Sequence, residues 1–394
     1  MSAYDLDDER AIRTGRLVED WTKSGLLSPE QRDIVMPQLA VDLRRTNKFL
    51  RITLFVFGGI ILRSALGLLA VMVSGLTNAT AAGVLCMLVG AACFWVATQL
   101  VGRYNLYRFG VEEAAALSAA GLVAVGAALL LAEGDAGDWP LIVGLATAAA
   151  MLTVLYLHFG YVYAAVFAMI AAAALPFQFP STALGVSGSD AIQRMLAVVI
   201  LAIVAAIAQT AREDDGDEHP ADSLMVIAAA AWLGIYLLVN LVASSGISAL
   251  DRSSTFFWIT YAGIWVLPAV LLWLAIRGRE RALLWAGIAM ALGTWLSNKE
   301  YLGSPRYEWD PIVFGIFLMG SAVAVRRWLA SGEGGLRHGY TASRLVASDK
   351  AHLGTLAMVS VAHADVPVAQ SAPAPDPTIG GGGRSGGAGA GGSF

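Results

Sequence analysis

Ten apolar stretches, each near the length of a bilayer-crossing helix, follow one another between residues 50 and 329. They run 50–74, 79–101, 111–132, 139–157, 160–176, 191–210, 223–244, 255–276, 281–297 and 311–329. A hydrocarbon core roughly 30 Å thick takes about 20 helical residues to cross, and backbone polar groups in lipid have only one another as partners. The expected fold class is therefore all-α, a polytopic transmembrane bundle of about ten helices. Only 14% of the 394 residues are charged, against about 25% in a soluble domain. Both ends of the chain are polar, which divides it into 1–49, the bundle 50–329 and a tail 330–394.

Charge bias sets the expected orientation. Ten spans with both ends inside place Arg44, Arg45, Lys48, Arg103, Arg108, Arg212, Arg277, Arg279, Arg281, Arg326, Arg327 and Arg337 on the inner side. The outer side then holds only Arg194, Arg252, Lys299 and Arg306. Reading 139–176 as one helix would move the Arg277–Arg281 cluster and the Arg326-Arg327 pair outside, so two spans turning near His158-Phe159-Gly160 are expected. The first span serves as a signal-anchor, because 49 polar residues precede it.

Residues 1–49 read as a cytoplasmic helical hairpin. Ala11, Thr14, Val18 and Trp21 fall at helical spacing and Gly25 ends the run. Ser28-Pro29-Glu30-Gln31 then carries a Ser-x-x-Gln capping box with proline in the first turn. Val35, Leu39 and Leu43 continue the stripe past a kink at Pro37. The hairpin is either a docking or oligomerising module or a lid over the bundle. The far end, with Pro373, Pro375 and Pro377 ahead of a glycine-rich run closing on Phe394, reads as a disordered tether.

Function is less constrained. A net charge of −4 and the absence of any nucleic-acid motif exclude that class of partner. Neither a His-Glu-x-x-His site, a Gly-x-Ser-x-Gly elbow nor a phosphate loop is present, so no enzyme, cofactor or metal is expected. The acidic run Asp214–His219 reads as solvated charge, and Cys86 and Cys93 as small buried hydrophobes. The aromatic and charged loop 298–311 reads as interfacial anchors, with Lys299, Glu300, Arg306, Glu308 and Asp310 free to pair into a cap. Pro176 and Pro268 lie toward span ends, so no discontinuous helix is signalled. Glu112 and Glu113 read as capping acids at a helix N-terminus.

The charge that stands out is Arg63, about 16 Å into the first span by helical rise. Val56, Gly59, Gly67, Ala70 and Ser74 share its face, and that stripe of small residues is expected to turn inward. A central arginine costs about 2.5–3.5 kcal/mol, offset by about 0.3–0.6 for each Leu, Ile, Val or Phe near the centre. The span 52–73 holds 13 of these, so insertion does not require the charge to be paired. Depth matching puts Tyr236 and Asn240, one turn apart on the seventh span, opposite it. The candidate ligand or lipid contact is accordingly Arg63 with Tyr236 and Asn240.

Three groups of residues also carry a family likeness. Leu17-Val-Glu-Asp-Trp21, Gly25-Leu-Leu-Ser-Pro-Glu-Gln31 and Arg44-Arg-Thr-Asn-Lys-Phe-Leu-Arg51 resemble the N-terminus of a bacterial family of predicted integral membrane proteins of unknown function. Arg108–Glu113, Arg306–Pro311 and the run from Arg326 through Thr341 are similar to later stretches of such proteins. The glycine tail resembles tails of other bacterial envelope proteins. The resemblance implies a many-span bacterial inner-membrane protein and brings no activity or site. The resulting expectation is a non-enzymatic scaffold or sensor in contact with membrane lipids, whose soluble ends, 1–49 and the tail, bind protein partners. The alternative is a transporter or channel for a small or anionic solute with Arg63 in the pathway.

Overall fold

The computed structural model describes residues 3–23, 25–72, 78–133, 137–179, 189–214, 218–245, 253–278, 280–305, 307–332, 336–337 and 340–341. The chain divides into two units, Met1–Thr22 with Leu27–Asp310, and Lys23–Leu26 with Pro311–Phe394. The tail beyond residue 341 and the centre of the acidic run, 215–217, lie outside the described residues.

Each of the ten apolar stretches coincides with a helix. These are α3 (Lys48–Met72), α4 (Ala79–Gly102), α5 (Val111–Leu130), α6 (Trp139–Phe159), α7 (Val162–Ala174), α8 (Ser189–Asp214), α9 (Glu218–Val239), α11 (Thr255–Gly278), α12 (Arg281–Leu302) and α13 (Asp310–Ala330). A short helix, α10 (Leu241–Ser245), follows α9. Among the described residues, seven helices are long and apolar enough to cross a membrane, within α3, α4, α5, α6, α8, α11 and α13. Two shorter apolar segments, Val162–Gln178 and Ser223–Val239, accompany them. This is a multi-pass membrane protein, and the named elements of its described residues are helical apart from one hairpin of two-residue strands, Leu336–Arg337 against Tyr340–Thr341.

The turn at 139–176 has a local cause. Gly160 takes a left-handed conformation, φ 68°, which ends α6 with its N–H bonded to Tyr156 O at 2.8 Å. Two helices, not one, therefore occupy the stretch. Pro268 departs from expectation in the other direction: it lies inside α11, which continues through it.

In the first unit α5 is the central helix of the first half, flanked by α3, α4 and α6. Its alanines explain why. Ala114, Ala115, Ala116, Ala119, Ala120 and Ala124 are all buried, so the helix has no large side chain to hold its neighbours off. Glycine brings α4 still closer. A Cβ on Gly126 would lie 2.7 Å from Gly83 O, and one on Gly83 would lie 2.9 Å from Gly126 O. In the second half α9 takes the central place against α7, α8, α11 and α12.

Residues 1–49 hold two helices followed by an extended segment. α1 (Leu6–Lys23) and α2 (Pro29–Val35) are joined through Gly25 at φ 72°. Ser28 Oγ accepts from Gln31 N–H at 3.2 Å and Ser28 N–H donates to Gln31 Oε1 at 2.9 Å, the complete capping box. The stripe does not continue as helix past Pro37. The chain tightens into a 3-10 turn over Met36–Leu39 and then runs extended, so Leu43 belongs to a different element. Pro37 has no N–H to continue the helical ladder, which favours this ending.

Gly126→Val, which must displace Met87 and the α4 backbone, is expected to lower the stability of the purified protein by about 1–3 kcal/mol. Gly121→Ala on the same helix has open space around it and should change stability by no more than about 0.5 kcal/mol. Unfolding midpoints in one detergent check the pair.

Candidate functional site

At the end of the bundle where α3 and α5 begin, the loop between α4 and α5 fixes the geometry. Asn105 and Arg108 have φ of 53° and 48°, and Gly110 has φ 112°. A Cβ on Gly110 would strike Arg51 O and lie 2.9 Å from Phe55 N. Only glycine lets the start of α5 rest on the α3 backbone. Glu112 then folds back: its carboxylate accepts from Phe109 N–H at 2.6 Å and from Gly110 N–H at 3.0 Å. It serves as the capping acid that its position suggests.

Glu113, one residue on, faces α3 instead. Arg51 grips its carboxylate in a two-point fork, Nε to Oε2 at 3.1 Å and Nη2 to Oε1. Sequence reasoning missed this pair, because Arg51 lies at the edge of the span 50–74, where a charge reads as flank, while α3 begins at Lys48. The pair borders a cleft of about 500 Å³ whose lining includes Lys48, Phe55, Tyr163 and Phe167. The Tyr163 hydroxyl is buried there without a hydrogen-bond partner.

The amino-terminal segment is latched to this same end. Ala3 N–H donates to His158 O at 2.6 Å, the hydroxyls of Tyr4 and Tyr161 meet at 3.4 Å, and Tyr107 donates to Glu9 at 3.1 Å. Tyr4 and Ile12 enter a core with Ala97, Phe159 and Tyr161. Burial pushes the Tyr4 hydroxyl well above the usual tyrosine range. After α2, the extended segment runs beside the α4–α5 loop, with Arg44 N–H on Asn105 O at 2.8 Å and Tyr107 N–H on Arg44 O at 3.1 Å. α2 itself buries no residue among those described.

At the opposite end, where α9 stops, a second polar cluster surrounds a break in the helix. Leu241 N–H leaves the helical ladder and donates to the Tyr301 hydroxyl at 2.7 Å, and that hydroxyl reaches Val239 O at 3.3 Å. Arg194, buried on α8, donates Nη1 to Leu238 O at 3.2 Å and Nε to Asp190 at 2.9 Å. Asn240 Nδ2 donates to Tyr236 Oη at 3.0 Å and to Ser297 Oγ at 2.8 Å. Thr294 directs its proton to Ile264 O, so the contact of 3.1 Å between Tyr236 and Thr294 has tyrosine as donor.

These contacts correct the expected contact set. Tyr236 and Asn240 do come together, but their partners are Thr294 and Ser297 rather than Arg63. Arg63 is exposed and makes no hydrogen bond or ion pair among the described residues. The inward face of α3 carries Gly58, where a Cβ would lie 3.2 Å from Ala114 Cβ, and Leu62, which packs on the core. Gly59 and Gly67 meet nothing within 4 Å, so the stripe from Val56 to Gly67 does not pack inward; Ser74 lies outside the described residues. The expectation of uninterrupted helices is corrected as well. The break at Asn240 has no proline and no glycine to announce it, and side chains remote in sequence hold it.

The 298–311 loop forms part of the expected cap. Lys299 pairs with Asp310 and lies 4.9 and 5.7 Å from the ring centres of Tyr307 and Trp309; Arg306 lies outside the described residues. Near the start of α4, Thr80 N–H donates to Glu133 at 2.9 Å, which holds that carboxyl below its ordinary range.

No family model matches the chain, and no curated protein or solved structure matches it either.

Tyr301→Phe leaves the buried Leu241 N–H without its acceptor and is expected to destabilise the protein by about 1–3 kcal/mol. Arg63→Gln, which removes no described contact, should leave the unfolding midpoint within about 0.5 kcal/mol of wild type. Denaturation of both variants in the same detergent measures the difference.

Proposed function

We propose that this chain is a ten-span bacterial inner-membrane protein with both ends in the cytoplasm, acting as a non-enzymatic scaffold or sensor. Its amino-terminal hairpin and its tail are the partner-binding parts, and membrane lipids surround the rest. The carrying observation is the asymmetric docking of residues 3–46. α1 is tied to the bundle by Tyr4, Ile12 and Glu9, whereas α2 is capped at its start yet buries nothing and leaves Ile34 67% exposed. A plain plug would bury both helices. One anchored helix beside one presented helix suits a module that offers a surface to a second protein. The charge bias supports the orientation, since the basic loops gather on the side that carries α1.

A transporter or channel for a small or anionic solute is the second reading, favoured by the interruption of α9. Irregular backbone at membrane depth is characteristic of places where protein or a cavity, not lipid, surrounds it. In that reading Arg194 and Asn240, buried beside the break, replace Arg63 as the polar groups of the pathway, because Arg63 lies on the outer face of α3.

Topology and role are tested together. With Cys86 and Cys93 replaced by alanine, single cysteines at Leu27 and Ser331 should resist a membrane-impermeant maleimide in spheroplasts, and one at Ser304 should react. In a strain lacking the protein, deletion of residues 1–45 should abolish complementation while Arg194→Gln retains it. The reverse pattern, with Arg194→Gln still present in the membrane at wild-type level and an unchanged unfolding midpoint, would favour the transporter reading.

A further inference from the structure

The cleft between α3, α5 and α7 is polar at one end only. Lys48 and Arg51 lie in the first turn of α3, with Glu113 and the Tyr163 hydroxyl beside them. Phe55 and Phe167 line the remainder. Seven residues of helix separate Lys48 from Phe55, about 10 Å along the axis. That is the step from a headgroup to the first part of an acyl chain.

Donors are left over at the polar end. The fork to Glu113 uses Arg51 Nε and Nη2, so Nη1 has no partner among the described residues. Lys48 is exposed and makes no hydrogen bond among them. The Tyr163 hydroxyl is buried with no partner, although a buried hydroxyl is normally bonded. The lining holds two cations and one carboxylate, a formal charge of +1, the complement of a single phosphodiester; the Glu112 carboxylate beside it is already bonded to the Phe109 and Gly110 N–H groups. The aromatic walls lie open to the hydrocarbon, with Phe167 49% exposed.

From these observations we propose that the cleft is a binding site for an anionic phospholipid. Its phosphodiester accepts hydrogen bonds from Lys48 Nζ, Arg51 Nη1 and the Tyr163 hydroxyl, and its acyl chain lies along Phe55 and Phe167. Glu113 aims the arginine and limits the site to one negative charge. A zwitterionic lipid would bring an ammonium group up to Lys48 and fit less well. Basic pockets between membrane helices commonly hold anionic headgroups. The proposal requires only that the bundle lies in a membrane, whichever way the ends face.

The full chain, delipidated in detergent, is titrated with phosphatidylglycerol, phosphatidylcholine and inorganic phosphate and read by native mass spectrometry. Phosphatidylglycerol should bind at least about tenfold more tightly than phosphatidylcholine, a factor equal to about 1.4 kcal/mol. Lys48→Gln and Tyr163→Phe should each weaken it by about threefold to tenfold, while the surface variant Arg103→Gln leaves it unchanged. Lys48 is exposed and the Tyr163 hydroxyl bonds nothing, so an unchanged unfolding midpoint confirms that both variants fold. Equal binding of the two lipids, wild-type affinity in both variants, or displacement of phosphatidylglycerol by millimolar phosphate would each overturn the lipid site. None of these outcomes alters the maleimide pattern, so the site and the proposed topology fail separately.

Discussion

Hydrocarbon offers no partner to an N–H or a carbonyl, and the polar side chains of this bundle fall into place once each free backbone group is traced. Where α9 stops, Leu238 O, Val239 O and Leu241 N–H leave the helical ladder, and Arg194 and Tyr301 take them up. Where α5 starts, two N–H groups with no helical partner are met by Glu112 from within its own first turn. An unpaired buried backbone group costs about as much as a lost hydrogen bond. The buried arginine and the buried glutamate are therefore first of all parts of the backbone's own accounting. Charges that remain after that tracing, such as Lys48 and the free side of Arg51, are the ones open to a ligand.

The two halves of the bundle come together by different means. Around α5 the backbones almost touch, at Gly83 with Gly126 and at Gly110 with α3. Contact of that kind is dispersion between small groups, and it fixes rotation tightly because any Cβ in the wrong place collides. Around α9 close packing, where a Cβ on Gly234 would lie 2.9 Å from Leu201 Cδ1, is joined by a polar layer. Tyr236, Asn240, Thr294 and Ser297 form that layer with directed hydrogen bonds. The first arrangement resists change at the glycines of the seam, Gly83, Gly110 and Gly126. The second is held by a few hydroxyls, each of which single-atom substitutions can remove.

The fold was legible where its cause is local. Runs of apolar residues, the Ser28–Gln31 box and the alanine face of α5 are set by neighbours within a turn or two, so spacing reveals them. Gly160 announced the turn between α6 and α7 for the same reason. The Arg51–Glu113 pair was hidden by the way an apolar span is drawn. Arg51 falls at the very edge of the span 50–74, where a charge reads as flank and not as a partner, and α3 begins still earlier at Lys48. The break at Asn240 was illegible on different grounds. Its sequence, Leu-Leu-Val-Asn-Leu-Val, is an ordinary helical run, and the hydroxyl and guanidinium that open it come from residues 60 and 44 positions away.

Arg63 and Arg194 show why a charge inside a span does not by itself say which face turns inward. The 13 large apolar residues of the span 52–73 outweigh the cost of Arg63 on insertion scales, so the helix can enter the membrane whichever way that side chain points. Its rotation is then decided by where close contact is available. Gly110 on the neighbouring loop and Ala114 on α5 accept the backbone at Arg51, Phe55 and Gly58, and that contact turns Leu62 inward and Arg63 outward. Arg194 differs because the carbonyl it meets has left its own helix. A freed acceptor in the interior selects a donor, whereas glycines on either side of an arginine only mark a face that can be approached. The inward arginine is thus identified by the backbone group it completes, while Arg63 and Gly67 of α3 are left as surface.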